Sequence, residues 1–483
     1  MHIERRCALS LLTMILSACG ASSPSGTSTS VDEAVTAPQA TPKAVCGPGS
    51  RPETSGMQGR VTQADYDSGH AAAGFTCNTE LVGSYTVPNP LGFVGGFKVE
   101  RYTDAAGHDC AYYDTTLIAP VNAFAGEAGV NVLDMSDPSH PAFTARLVTP
   151  AMLSPHESLV VSKQRGLLAA VLGNVVFGPG VVDVYDLSQD CRHPVLKSTA
   201  PVGTLGHESG MAPDGNTFYS TSSAMPTLTP VDISDPTLPV PLGITSIKSH
   251  GLSVSADGNR LYVADLIDRA MLILDSSDFQ ARRPNPQFHE ISRLSWEIGS
   301  IPQNAIPITI KGHPYVVEID ELATKGGTYF PASNGSHVGA GRIIDIGDEA
   351  HPQVISDLRL EVHQPENRAT VGDDPGAANI LGGYAGHYCN VPTRVDPTIV
   401  ACSMILSGLR VFDIRDPFHP HEVAYFNAPV QPRALPVPSA ASNYAMSSPS
   451  FVPERKEIWY TDAYTGFYAV RVTNGAWPDW DSP

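Results

Sequence analysis

One phrase recurs along this chain: a short run of β-formers ends in aspartate and leads into a turn rich in Asp and Pro. It places that residue at Asp134 in "GVNVLDMSDPSHP", Asp186 in "VVDVYDLSQDCRHP" and Asp232 in "LTPVDISDPTLP". It recurs at Asp275 in "AMLILDSSDF", Asp345 in "GRIIDIGDEAHP" and Asp413 in "GLRVFDIRDPFHP". A degenerate copy, "GFYAVRVTNGAW", has Arg471 in the same place. The intervals are uneven but near the length of a four-stranded unit, so the 483 residues read as one architecture repeated.

Each copy sits in the same order of parts. In "HGLSVSADGNRLYVAD" a strand, a turn at Asp257 to Asn259 and a second strand precede "AMLILD", the third strand. The aspartate is suited to accept backbone N–H groups of the turn that follows it. The prolines fix φ and lack a donor, so they end the strand and redirect the chain. A fourth stretch such as "AFTARLVT" completes the unit. Four short antiparallel strands per unit, with no helices between units, predict propeller blades. The 42 glycines and 42 prolines suit a chain of many strands and turns.

The last copy supplies three strands, whereas "ELVGSYTVP", Glu80 to Pro88, is strand-like and lacks a blade. Placed beside Gly466 to Val472, it closes the ring and pairs both open edges. The expected fold is therefore all-β: a seven-bladed β-propeller of four-stranded antiparallel blades over residues 80–475, counted from His108 onward and closed by that N-terminal strand. The aspartate phrase followed by DP and P resembles the LVIVD-repeat family, read as β-propellers of exported prokaryotic proteins. The resemblance implies the fold and little about activity. The fourth and seventh copies depart from it by lacking DPxxP.

Arg5 and Arg6 precede an apolar stretch, Ala8 to Leu16, too short to span a bilayer but suited to an export signal. It ends in "LSAC", which resembles the lipobox of bacterial lipoproteins and implies that Cys19 carries the lipid. The expected organisation is a signal peptide over 1–18, a disordered tether over 19–45, a lead-in over 46–79 and a short tail over 476–483. This places the protein in the cell envelope, attached to a membrane by its N-terminal lipid. Cys46, Cys77, Cys110, Cys191, Cys389 and Cys402 remain, an even number with no CxxC pair, so disulfides are expected. Cys389 and Cys402 flank a Pro-bounded turn and are expected to be joined. With 30 Lys and Arg against 49 Asp and Glu, and no basic run, nucleic acid is excluded as a partner.

Histidines open the innermost strand of several units: His108 in "GHDCAYY", His156 in "PHESLVV", His207 in "GHESGMA", His250 in "SHGLSVS" and His387 in "GHYCNVP". Equivalent strand starts surround one mouth of a propeller channel, so these five imidazoles are expected to converge. The fifth blade offers Gln303 or Asn304 in that place and the seventh Ser447, while His313 falls in a turn away from the axis. Neutral imidazole suits transition metals, copper or zinc among them. Glu157, Glu208 and Asp109 each follow a histidine and are candidates to orient rings or move protons.

The ring of positions looks loosely like the axial histidines of selenium-binding-type methanethiol oxidases and, more distantly, the copper centre of nitrous oxide reductase. The alternative is that the histidines are structural, donating to carbonyls of the next blade. Two Gly-rich insertions, one before Arg342 and one running from His363 to Gly386, are long enough to bind something or to cover the channel, with His337 and His363 at hand. No GxSxG, HExxH, Walker or Rossmann signature is present. Two functions follow as expectations: a binding module for a protein, glycan or small ligand at the channel mouth, or a metal-dependent oxidoreductase using the axial histidines.

Overall fold

The computed structural model describes residues 38–87, 94–115, 128–173, 180–204, 206–222, 227–296, 300–324, 337–377, 383–430 and 443–482. The expected export signal, the expected lipid site at Cys19 and most of the expected tether lie outside them. Seven antiparallel sheets of four or five strands form the expected propeller, with a two-stranded ribbon beside blade 5. In blades 1 to 4 the innermost strands are Val99–Thr103, Val160–Ser162, Gly210–Met211 and Gly251–Val254. In blades 5 to 7 they are Ile301–Ile310, Tyr388–Asn390 and Ser450–Val452.

The recurrent aspartates do one job six times. Each ends the third strand of its blade, and its Oδ1 accepts the backbone N–H two residues on. The acceptors Asp134, Asp186, Asp232, Asp275, Asp345 and Asp413 take bonds of 2.7 to 2.9 Å from Ser136, Ser188, Ser234, Ser277, Gly347 and Arg415. These Asx turns fix where each blade reverses. In blade 7 Arg471 instead pairs with Glu80 and Glu457.

Second strands are buried on both faces because each blade is sandwiched between its neighbours. Leu167–Val171 is buried along its whole length, and Leu168 packs with Tyr112 and Val130 of blade 1. The ring closes as expected: Thr79–Tyr85 pairs with Gly466–Val472, from Thr79 opposite Val472 to Tyr85 opposite Phe467. Blade 1 then meets blade 7, where Ser448 N–H donates to Phe97 and Val99 N–H to Ser448.

The count of strands in blade 1 needs a correction. Its innermost strand is Val99–Thr103, in "FKVERYTD", and Asp109–Asp114 is its second. His108 therefore lies in the turn between the first two strands, the same place that removes His313 from the axis.

The lead-in and part of the expected tether are built into the fold. Gln39 N–H donates to Asp357, Thr41 is buried, and Ala44 N–H donates to Glu422, so residues 38–45 are ordered where a disordered tether was expected. Phe75–Cys77 adds a fifth strand to blade 6 and covers its edge. Glu53 reaches into the molecule to the fully buried Arg410, whose other nitrogen donates to Glu422 at 3.0 Å. In the second insertion Asp374 and Tyr384 pack against this lead-in, while Ala385 packs with Phe97, whose ring meets those of His156 and His387. Asp374 takes Arg60 at 2.9 Å and Tyr384 at 3.0 Å, and Tyr384 also accepts Val61 N–H. His363 is buried there, its Nδ1 accepting Leu360 N–H. Most of the first insertion lies outside the described residues.

Three disulfides join Cys46 to Cys77, Cys110 to Cys191 and Cys389 to Cys402, the last as expected. They indicate an oxidising, exported environment. Among the described residues no helix is long and apolar enough to cross a membrane. Arg410→Met leaves Glu53 and Glu422 buried without their cation, so urea unfolding should report a loss of about 3–5 kcal/mol. Asp134→Ala removes one partly exposed turn bond and should cost only about 1 kcal/mol. Equal losses would refute this ranking.

Candidate metal centre on the propeller axis

Four of the five expected histidines meet on the axis. His156 Nε2 and His207 Nε2 stand 3.1 Å apart, and the His207 and His250 ring centroids are 4.3 Å apart. Glu157 lies among them: its Oε2 is 3.0 Å from His207 Nδ1, and its Oε1 is 3.4 Å from His387 Nε2. One ligand atom from each of His156, Glu157 and His207 can be chosen so that all lie within 4.8 Å of one another.

Local backbone chemistry presents these groups. His156 has φ of 52°, a left-handed conformation that is strained for a side chain of this size and turns the ring toward the axis. Gly173 packs so close that a Cβ there would lie 2.3 Å from the His156 Cβ. His250 Nδ1 donates to Pro302 O at 2.7 Å and His387 Nδ1 to Met446 O at 2.6 Å, each carbonyl belonging to the next blade or its entry loop. This is the contact expected of structural histidines. It also fixes the tautomer and aims Nε2 inward, as in many metal sites. At His207, Glu208 N–H donates to Nδ1 at 2.9 Å while Glu157 flanks the same atom, so the two compete to set its tautomer.

Glu321 completes the cluster and was not singled out in the sequence. It ends the second strand of blade 5, with Oε1 3.4 Å from His250 Nε2 and Oε2 3.3 Å from His387 Nε2. Tyr388 donates to Glu157 Oε2 at 2.6 Å, and Gln303 donates to both Glu157 and Tyr388. Asn304 lies instead along the channel below.

The place that His108 was expected to fill is taken by Lys98, just ahead of the first strand of blade 1. Asp114 holds the backbone there by accepting Phe97 N–H at 2.9 Å, and Lys98 Nζ reaches Glu208 Oε1 at 3.1 Å. His108 is paired with Asp104 at 2.9 Å and stands near Asp190, beside the Cys110–Cys191 bridge. Asp109 points away from the axis, to Arg101 and Arg455. Ser447 is used by the backbone of blade 7, exchanging bonds with Thr461.

Charge is concentrated here out of water. Burial pushes the Glu157 carboxyl up, but His207, His387 and His156 outweigh it and hold it well below the usual carboxylate range. Burial opposes protonation of His387, yet its bonds to Glu157 and Glu321 raise it to about 10. Burial and the adjacent His207 lower His250 to about 4. Glu208 is raised by burial to about 7 despite Lys98.

The LVIVD repeat model matches residues 124–149, which contain Asp134 and the last two strands of blade 1. The chain carries an LVIVD repeat. By sequence, no curated protein matches it. Among solved structures it is similar to hydrazine synthase of Kuenenia stuttgartiensis, at 14% identity over 80% of this chain and 97% of that one, with a TM-score of 0.48. It is also similar to a 6-phosphogluconolactonase homologue from Bacteroides fragilis NCTC 9343, at 13% identity over 81% and 92% of the two chains, with a TM-score of 0.45. A functionally unknown protein of Desulfotomaculum acetoxidans DSM 771 aligns at 12% identity over 72% and 95%, with a TM-score of 0.44. At such identities the function of this LVIVD-repeat chain has to be argued from its own axial residues.

The two displaced imidazoles give opposite pH signatures. His387 is raised, so its stabilisation is complete below about 6.5 and is lost as pH rises toward about 10; His250 is depressed, so its contribution is lost as pH falls from about 6.5 toward about 4. Urea midpoints followed above neutral pH should fall for the native chain and flatten in His387→Gln. Parallel slopes would remove the imidazolium from this site.

Proposed function

We propose that this protein is an exported, lipid-anchored propeller that binds a transition-metal ion on its axis. The observation that carries the reading is the approach of His156 Nε2 to His207 Nε2, 3.1 Å apart with Glu157 beside them. In the absence of an ion one proton is shared across that contact, and a divalent cation can replace it. His250, His387 and Glu321 supply further nitrogen and oxygen donors on the far side of Glu157. Three disulfides occupy six cysteines, leaving nitrogen and oxygen donors, which suit Zn²⁺ or Cu²⁺, with Cu²⁺ the tighter by the general order of stability. The proposal stops at binding, because no residue of the cluster identifies a substrate or an electron acceptor.

Anchoring is the second half of the reading. It rests on the lipobox-like "LSAC" ending at Cys19, on the short apolar stretch before it and on the disulfides of the folded part.

Chelated protein titrated calorimetrically with Zn²⁺ or Cu²⁺ should take up close to one equivalent. His207→Ala should weaken binding by about 100-fold or more, since removing even an outer partner of a ligand typically costs 10–100-fold. His108→Ala should leave it unchanged. Substoichiometric uptake, or equal weakening by both variants, would dismiss the metal reading. Separately, Cys19→Ser should move the protein from the membrane to the soluble fraction; persistence in the membrane would dismiss the anchor.

A further inference from the structure

Beneath the cluster the axis opens into a second compartment. A cavity of about 460 Å³ is lined by residues of all seven blades, a size suited to a small molecule. Lys98 precedes its innermost strand, whereas Lys163 and Arg394 follow theirs and are exposed. The buried Lys98–Glu208 pair therefore closes the end next to the histidines, and Lys163 and Arg394 stand at the open end.

The lining runs against the character of the whole chain. Formal net charge is −19, yet three cations, Lys98, Lys163 and Arg394, face this space against two carboxylates, Glu100 and Glu208. Glu208 is already engaged by Lys98. Glu100 is flanked by Lys98 and Lys163, so the lining keeps one cation in excess, and low-dielectric walls focus its positive potential inside the channel. Between the two ends the wall is polar, with the hydroxyls of Ser253 and Ser448 and the amides of Asn304 and Asn390.

We propose that this channel binds a small hydroxylated organic anion, with Lys163 and Arg394 holding its acid group and the serine and asparagine side chains receiving its hydroxyls. An apolar ligand would leave the buried Asn304 Oδ1 without a partner, and a neutral sugar would leave the excess cation without a counter-charge. The residues involved are separate from the histidine cluster, so the proposal stands whether or not a metal is bound above.

Calorimetry at low ionic strength on the full exported chain, with chelator present, tests it with D-galacturonate, its neutral counterpart D-galactose, and acetate as an acid without hydroxyls. Galacturonate should bind at least roughly tenfold tighter than either, about 1.4 kcal/mol, and added salt should weaken it. Lys163→Gln with Arg394→Gln should lower its affinity by roughly tenfold or more at an unchanged urea midpoint. Galactose binding as tightly would remove the anion requirement, and acetate binding as tightly would remove the hydroxyl requirement. Absence of saturable galacturonate binding up to about 10 mM, or indifference to the double substitution, would overturn the proposal outright.

Discussion

The pairing of Thr79–Tyr85 with Gly466–Val472 is the contact on which the rest of this molecule depends. Without it the last blade would have three strands and an open edge, and blade 1 would be held to blade 7 only by the contacts of their inner strands and shared core. With it, Lys98 is brought beside Ser448, and side chains separated by more than 200 residues along the chain, His156 and His387, share the carboxylate of Glu157. The axial cluster is thus a product of closure, assembled from blades that supply one or two groups each.

That assembly concentrates ionisable groups where water is scarce. Buried charges are tolerated only when they are paired and hydrogen-bonded. Glu157 meets this condition by gathering His207, His387, Tyr388 and Gln303, and Glu208 meets it less fully, with Oε2 left without a partner. A cation placed among such groups offsets the repulsion between carboxylates that the protein otherwise manages with protons. The left-handed backbone of His156 carries a similar message, since strain of this kind persists only where surrounding structure enforces it.

The parts of this architecture written in local chemistry were legible from the sequence. The aspartates could be read because an Asx turn is made by residues two apart, and the closing strand because an unmatched β segment stood opposite an incomplete repeat. Four histidines could be picked out because each lies one to four residues ahead of the innermost strand of its blade. His108 was misplaced because "GHDCAYY" has the composition of an innermost strand, while the true one, "VERYT", is preceded by a lysine that no histidine pattern selects. Glu321 was out of reach for another reason. It enters from the end of a second strand, and only the packing of blade 5 between its neighbours brings it to His250 and His387. The lead-in was underestimated because its anchor, Glu53 on Arg410, is a partnership across more than 350 residues.

The Cys46–Cys77 bridge has a mechanical consequence. Tension applied to residue 38 cannot be carried through residues 47–76, because the covalent link short-circuits that loop. The load passes from Cys46 to Cys77 and then, two residues on, into the strand that zips the ring shut. Glu53 sits in the bypassed loop, so its bond to Arg410 of blade 6 is shielded from the pull, while the closing strand carries the load.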